Sequence, residues 1–284
     1  MNPIDVVRLE RKVRFAVVPR GQLADAVETS SNGFAGRPSI VGFSRHYEVV
    51  VACVGTLDPR LQYVVDIKNI DRAVRETVIA AVCDACGPAA ASLSREHPPD
   101  AAGVLIPACL ALNELLSGMV LRVTFYFTPT HTMNITLTLN ADPRVVIRQR
   151  FDFAASHRLH NPALSAEENA QRYGKCNNPR GHGHNYQFEI AAGLDSSAST
   201  PFTLQHLEAI AERTIIDRFD HKHLNEDTAE FDITRGGLIP TVENIARVFH
   251  AYLAEEFAAR VGGATLVSVT VWETDRTSAT YPAT

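Results

Sequence analysis

The sequence predicts an α+β protein made of two related units in tandem, and three observations predict it. The segment RFDFAASHRL (150–159) overlays RFAVVPRGQL (14–23) at an offset of 136 residues. Later segments overlay in the same order, GHGHNYQFEIAAGLD (181–195) on GFSRHYEVVVACVGTLD (42–58) and LVSVTVWETD (266–275) on LRVTFYFTPT (121–130). Within each unit the apolar period runs from that of strands to that of helices and back, giving strand, strand, helix, helix, strand.

In the first unit, residues 47–54 carry the alternation and β-branching of a half-buried strand. Helices are expected over roughly 70–82 and 106–116, and a final strand over 121–127. The stretch NADPRVV (140–146) holds an Asp-Pro turn signal and little apolar periodicity, which puts the boundary near residue 145 and divides the chain into 1–145 and 146–284. In the second unit, 186–192 reads as a strand and Leu204, Leu207, Ile210 and Ala211 recur at helical spacing. SAEE (165–168) reads as a capping box. Thr241 reads as the N-cap of a second long helix, whose Ile245, Val248, Phe249, Tyr252, Leu253 and Phe257 form one core stripe. The last strand is 266–272. A small antiparallel sheet with helices on one face leaves two open edges, so oligomerisation is expected.

The 284 residues are 45% apolar and 21% charged, an ordinary globular composition. The start, MNPIDVVRLERKVRF, has no apolar core after its charges, and no apolar run reaches the roughly 18 residues of a membrane helix. Neither export nor a membrane span is expected, and the cytoplasm is the expected location. Cys53, Cys83, Cys86, Cys109 and Cys176 are an odd, sparse set that reads as free thiols, and Cys83-x-x-Cys86 has no second pair at zinc spacing. A net charge of −5 gives no reason to expect nucleic acid or an anionic membrane as partner.

The chemistry concentrates in GKCNNPRGHGHNY (174–186). His182 and His184 stand just before the 186–192 strand, and residues two apart on an extended chain share a face. His157 ends the strand FDFAASH and closes a three-histidine set if that strand pairs with 186–192. Three histidines with an open fourth position suit catalytic zinc. His160 and His223 read as polar surface, and His206 and His250 as helical residues without partners. Cys176, six residues before His182 in a glycine-shaped loop, reads either as an inert cysteine or as a proton-moving thiolate whose pKa is lowered by a metal, Lys175 or Arg180. Asp220 and His221 form a carboxylate–imidazole pair only if the backbone is irregular there, since adjacent helical side chains diverge. Glu273 is either a surface glutamate or a bidentate acceptor for a guanidine-like ring edge.

Taken together, FAASHRLHNPALSAEENAQRYGKCNNPRGHGHNY, DHKHLN, PTVENIA and WETD closely resemble the motifs of the 6-pyruvoyltetrahydropterin synthase family, in that family's order and across residues 150–281. The resemblance implies a tunnelling fold, in which four-stranded antiparallel sheets with two helices on one face close an oligomeric barrel. It also implies zinc on His157, His182 and His184, Cys176 as general base, Asp220 with His221 for proton transfer, and Glu273, Thr241 and Glu243 on the pterin. The implied enzyme is a zinc-dependent lyase that converts 7,8-dihydroneopterin triphosphate to 6-pyruvoyltetrahydropterin and releases triphosphate. The alternatives are a 6-carboxytetrahydropterin synthase, which makes a queuosine precursor, and a non-catalytic pterin-binding protein. The first unit departs from the pattern: Gly21 faces His157, Phe43 and Arg45 face His182 and His184, Phe127 faces Glu273, and Cys83 and Asp84 fall near Asp220 and His221. That unit is expected to bind no metal and to fill places in the barrel, as a trimer of tandems or a dimer of trimers.

Overall fold

Strand β1 (Val6–Val18) shows how the first unit is built. Val13, Phe15 and Val17 turn inward to the core. Lys12 and Arg14 turn outward and both pair with Glu48 on the neighbouring strand, at 2.8 and 3.1 Å. That neighbour is β3 (Arg45–Thr56), antiparallel to β1 from Val6↔Thr56 to Val17↔Arg45. The computed structural model describes residues 6–18, 22–23, 44–86, 100–138, 141–195, 202–260 and 262–283. The chain divides into two units, Met1–Ile147 and Arg148–Thr284.

In the first unit, β2 (Gln22–Leu23), β1, β3, β4 (Val120–Tyr126) and β5 (His131–Thr136) follow one another as antiparallel neighbours. Between β3 and β4 the chain forms α1 (Ile67–Val74), a π-helical turn (Arg75–Ile79), α2 (Ala80–Ala85) and α3 (Ala101–Leu115). Asp66 and Asp100 cap α1 and α3 by accepting from backbone N–H groups of the first turns. Ile70, Val74, Val78, Leu105 and Leu112 are buried.

The second unit has the sheet order β6 (Arg144–His157), β7 (His182–Leu194), β9 (Ala264–Thr274), β10 (Thr277–Tyr281). A short β8 (Lys222–His223) pairs in parallel with the end of β6. After β6 comes α4 (Ala166–Tyr173), opened by the predicted capping box: Glu168 N–H donates to Ser165 Oγ, and Ser165 N–H donates to Glu168. After β7, α5 (Leu204–Ala211) passes through a π-helical turn (Glu212–Ile216) into α6 (Asp217–Phe219). Then α7 (Leu224–Asp227) precedes α8 (Val242–Arg260), whose Ile245, Phe249, Leu253 and Phe257 are buried. Phe249 meets Phe153, Phe188 and Phe219 with ring centroids 4.9–5.5 Å apart, which ties α8 to the sheet.

Each unit is therefore α+β with an antiparallel sheet, as predicted. The sequence reading placed no strand at β5 or β10. The second of these, TSATY, is mostly exposed and offers almost no apolar alternation to read. Two irregularities recur in both units, the first of them at positions the sequence overlay superposes. A register shift falls between Ala52 and Cys53 in the first unit and between Ala191 and Ala192 in the second. The two π-helical turns, 75–79 and 212–216, also occupy corresponding helices. No helix among the described residues is long and apolar enough to cross a membrane.

Candidate active site

Three strands deliver the site. Phe153, Ala155 and His157 are the inward residues at the end of β6, and His157 is fully buried. On β7, His182 and His184 alternate inward with Tyr186 and Phe188. The strand thus begins at His182, four residues earlier than predicted, so both histidines lie on it rather than before it. On β9, Val269 and Val271 are buried, and Glu273 continues that face.

One ring nitrogen from each of His157, His182 and His184 lies within 4.8 Å of the other two. His157 Nε2 is 3.2 Å from His182 Nε2, and Glu273 Oε1 lies 3.3 Å from His157 Nε2 and 3.5 Å from His184 Nε2. His157 Nδ1 lies 2.8 Å from the Pro240 carbonyl oxygen, which can only accept, so this nitrogen carries the proton and Nε2 offers its lone pair to the cluster. Burial holds the His182 and His184 pKa values below the ordinary imidazole value, and His157 adds to the effect on both. Glu273 is held below the usual carboxylate value, chiefly by His157 and against its own burial. Three converging imidazoles, one buried and two half-buried, beside a carboxylate fit a divalent cation. The His184 Nε2 atom, buried without a hydrogen-bond partner, is the lone pair such an ion takes up.

Gly181 makes this approach sterically feasible. Its φ is +67°, and a Cβ there would stand 2.8 Å from both the His157 carbonyl oxygen and His223 Nε2. His223 is thus packed against the entry to β7 with its Nδ1 buried and unpartnered, not on the polar surface predicted for it.

Cys176 lies in the 3-10 turn Gly174–Asn177, and its carbonyl accepts from Leu159 N–H at 2.8 Å, which ties the turn to the segment after His157. Burial, then the Glu273 carboxylate, pushes the thiol above its ordinary value. Lys175 and Arg180 are not among the groups that shift it. Around the turn, Arg158 donates to the Asn177 carbonyl and side chain, and His160 Nδ1 lies 3.0 Å from Asn177 Oδ1, so His160 is also part of a network rather than free surface.

Asp220 follows the end of α6 with φ −70° and ψ 138°, and His221 has φ +55°, so the irregular backbone that the pair requires is present. Asp220 Oδ1 accepts from Ala154 N–H at 2.8 Å and Oδ2 lies 2.7 Å from His221 Nδ1. The carboxylate thus anchors to β6 and orients an imidazole that is 83% exposed. Ser156, Gly183, His184, Asn185, His221 and His223 line one open cleft.

The profile of the 6-pyruvoyl tetrahydropterin synthase family matches residues 146–284. The human 6-pyruvoyl tetrahydrobiopterin synthase is 34% identical over 137 residues, 48% of this chain and 89% of that protein. The enzyme of Poecilia reticulata is 35% identical over 131 residues, 45% of this chain and 84% of that protein. The chain belongs to the 6-pyruvoyl tetrahydropterin synthase family. Among solved structures, the Caenorhabditis elegans 6-pyruvoyl tetrahydropterin synthase aligns at 30% identity with a TM-score of 0.43, covering 50% of this chain and 97% of that one.

Members of this family are lyase-type enzymes. In this member, two expected ring contacts sit at the start of α8, beside the His157–Pro240 contact. Thr241 caps that helix, with Asn244 N–H 3.4 Å from its Oγ1, and Glu243 is exposed on the first turn. Three asparagines escaped the sequence reading. Asn169, fully buried, accepts from Asn161 N–H and donates to the carbonyls of Asn161, Leu164 and Ser165, so it folds the loop between β6 and α4. Asn225 brackets Arg158, accepting from its N–H at 2.7 Å and donating to its carbonyl at 3.1 Å. Asn177 gathers Arg158 and His160. Their signal was their place inside the quoted motifs, but the partners of Asn177 and Asn225 lie 17 to 67 residues away. His206, read as lacking a partner, instead accepts from Thr203 N–H at 3.0 Å and closes a cap on α5, while His250 packs on Tyr281.

In the first unit, Tyr47, Phe15, Phe125 and Phe127 pack together, with ring centroids 4.7–6.2 Å apart. Arg45 is exposed. Cys83 and Asp84 are helical, within α2, unlike the Asp220–His221 turn. Gly21 and Phe43 lie outside the described residues. Among the described residues, His157, His182 and His184 form the one cluster of three potential metal ligands. All five cysteines are free, as predicted.

Proposed function

We propose that the second unit converts 7,8-dihydroneopterin triphosphate to 6-pyruvoyltetrahydropterin and triphosphate, with zinc held by His157, His182 and His184. The observation that carries this reading is the convergence of three imidazoles, the Cys176 turn and Glu273 at one end of a sheet whose sequence matches the family profile. Bound zinc supplies Lewis acidity, which makes the substrate's side-chain hydroxyls and neighbouring C–H groups more acidic. Cys176 takes a proton from that side chain as thiolate. His221, oriented by Asp220, exchanges the second proton through the ring nitrogen opposite its Asp220 contact. Glu273 accepts from the guanidine-like edge of the pterin, with Thr241 and Glu243 as further ring contacts.

We read the first unit, residues 1–145, as a duplicated copy without a metal site, and the recurrence of the register shift and the π-helical turn supports that reading. We expect the tandem chain to close a homo-oligomeric barrel in the cytoplasm, as a trimer or a dimer of trimers.

The deciding experiment is a mass-spectrometric product assay with zinc-loaded protein and 7,8-dihydroneopterin triphosphate. A pyruvoyl product is expected. A carboxy product with acetaldehyde would move the protein to the queuosine branch, and no turnover would leave a pterin-binding protein.

A further inference from the structure

We infer that Glu273 is the fourth ligand of the resting metal site and that binding of the pterin ring draws its carboxylate away, opening that position. The inference rests on the three-histidine reading above and extends the role of Glu273 from ring anchor to exchangeable ligand. A tetrahedral ion with bonds of about 2.0–2.1 Å has edges of about 3.3–3.4 Å between its ligand atoms. The contacts His157 Nε2 to His182 Nε2, His157 Nε2 to Glu273 Oε1 and His184 Nε2 to Glu273 Oε1 measure 3.2, 3.3 and 3.5 Å. The carboxylate therefore already stands at ligand spacing from two of the three histidines.

Electrostatics point the same way. With Nδ1 turned to the Pro240 carbonyl, His157 Nε2 and Glu273 Oε1 face each other at 3.3 Å, where a cation between them would take both as ligands. His184 Nε2, buried without a hydrogen-bond partner, lies 3.5 Å from the same carboxylate oxygen. One divalent ion satisfies both. A closed set of four protein ligands is the arrangement of a structural site, whereas catalysis needs an open position. The same carboxylate supplies the exit, because its other preferred partner is a planar pair of N–H donors on the ring.

The test uses the full chain loaded with cobalt(II), whose visible absorption reports coordination. Wild type, Glu273→Gln and Glu273→Ala are compared after circular dichroism has established that each is folded. Cobalt affinity is measured by chelator competition. Both variants are expected to shift the visible bands and to lose at least tenfold in affinity. Unphosphorylated 7,8-dihydroneopterin is expected to move the wild-type spectrum towards that of the variants. Spectra and affinities unchanged within twofold in both variants, or a wild-type spectrum unmoved by the bound ring, would overturn the inference while leaving the three-histidine site intact. If the wild type takes up no cobalt, or His157→Ala retains it, the metal reading itself fails and the inference with it.

Discussion

The carbonyl oxygen of Pro240 lies 2.8 Å from Nδ1 of His157. Eighty-three residues separate the two, and the contact sets which nitrogen of a buried imidazole is free to bind a cation. Pro240 stands directly before Thr241, the cap of α8, so a helix whose apolar stripe reads as core also controls the chemistry of a strand-end ligand. Thr241→Ala is expected to cost about 0.5–1 kcal/mol of stability and to weaken metal binding, because the Pro240 carbonyl is then less firmly held. Urea denaturation and chelator competition on the same variant measure the two effects. An unchanged metal affinity would separate the cap from the site.

Gly181→Ala should be among the most damaging single-methyl additions in the chain. It combines a φ of +67° with contacts of 2.8 Å to backbone and imidazole atoms, and a loss of about 2–4 kcal/mol is expected. Gly236→Ala is the control, since its φ is +83° but no atom lies within 4 Å of the added carbon. Only the backbone cost of about 1 kcal/mol should appear there. Equal losses at the two sites would mean that the close approach to His157 is not tight.

Asn169→Ala removes one accepted hydrogen bond and an amide whose two N–H groups are shared among three carbonyls, at a fully buried position. The backbone groups left unpaired should cost about 2–4 kcal/mol. Thermal unfolding reads the loss, and proteolysis between β6 and α4 should accelerate with it.

Cys176→Ala should lower turnover by roughly 10²–10⁴-fold, the usual contribution of a positioned general base. Metal content should stay at one equivalent per chain, since the thiol is not among the three clustered ligands. Elemental analysis and the product assay together check this. Two equivalents in the wild type would reveal a metal site in the first unit.

Asp220 carries a pH signature. Burial raises its pKa, but the Ala154 N–H and His221 outweigh burial and hold it below the ordinary carboxylate value. A carboxyl group depressed in the folded state contributes stability that is present above its unfolded pKa of about 3.9 and is lost as pH falls through the folded value. Acid titration of wild type against Asp220→Asn should therefore show the variant less stable at neutral pH, with the gap narrowing below about pH 4. A gap independent of pH would assign the loss to packing.

The motifs made much of the site legible in sequence. The spacing of His182 and His184 put both on one face of an extended segment, and the place of His157 at a strand end made it their companion. The capping box at Ser165 and the apolar stripe of α8 were readable because each depends on residues within a few positions of one another. The exposed β10 offered no such local pattern, and its strand exists because β9 provides the pairing edge.

The sequence by itself determined the tandem of α+β units, the three histidines, Cys176, and the condition under which Asp220 orients His221. Local periodicity and short spacings carry that information. Tertiary structure alone decided that Pro240 sets the His157 tautomer, that Gly181 admits His223, and that Glu273 stands at ligand distance from two histidines. Those are interactions of groups far apart in the chain, and their sign depends on burial and on distances of a few ångströms that no spacing in the sequence encodes.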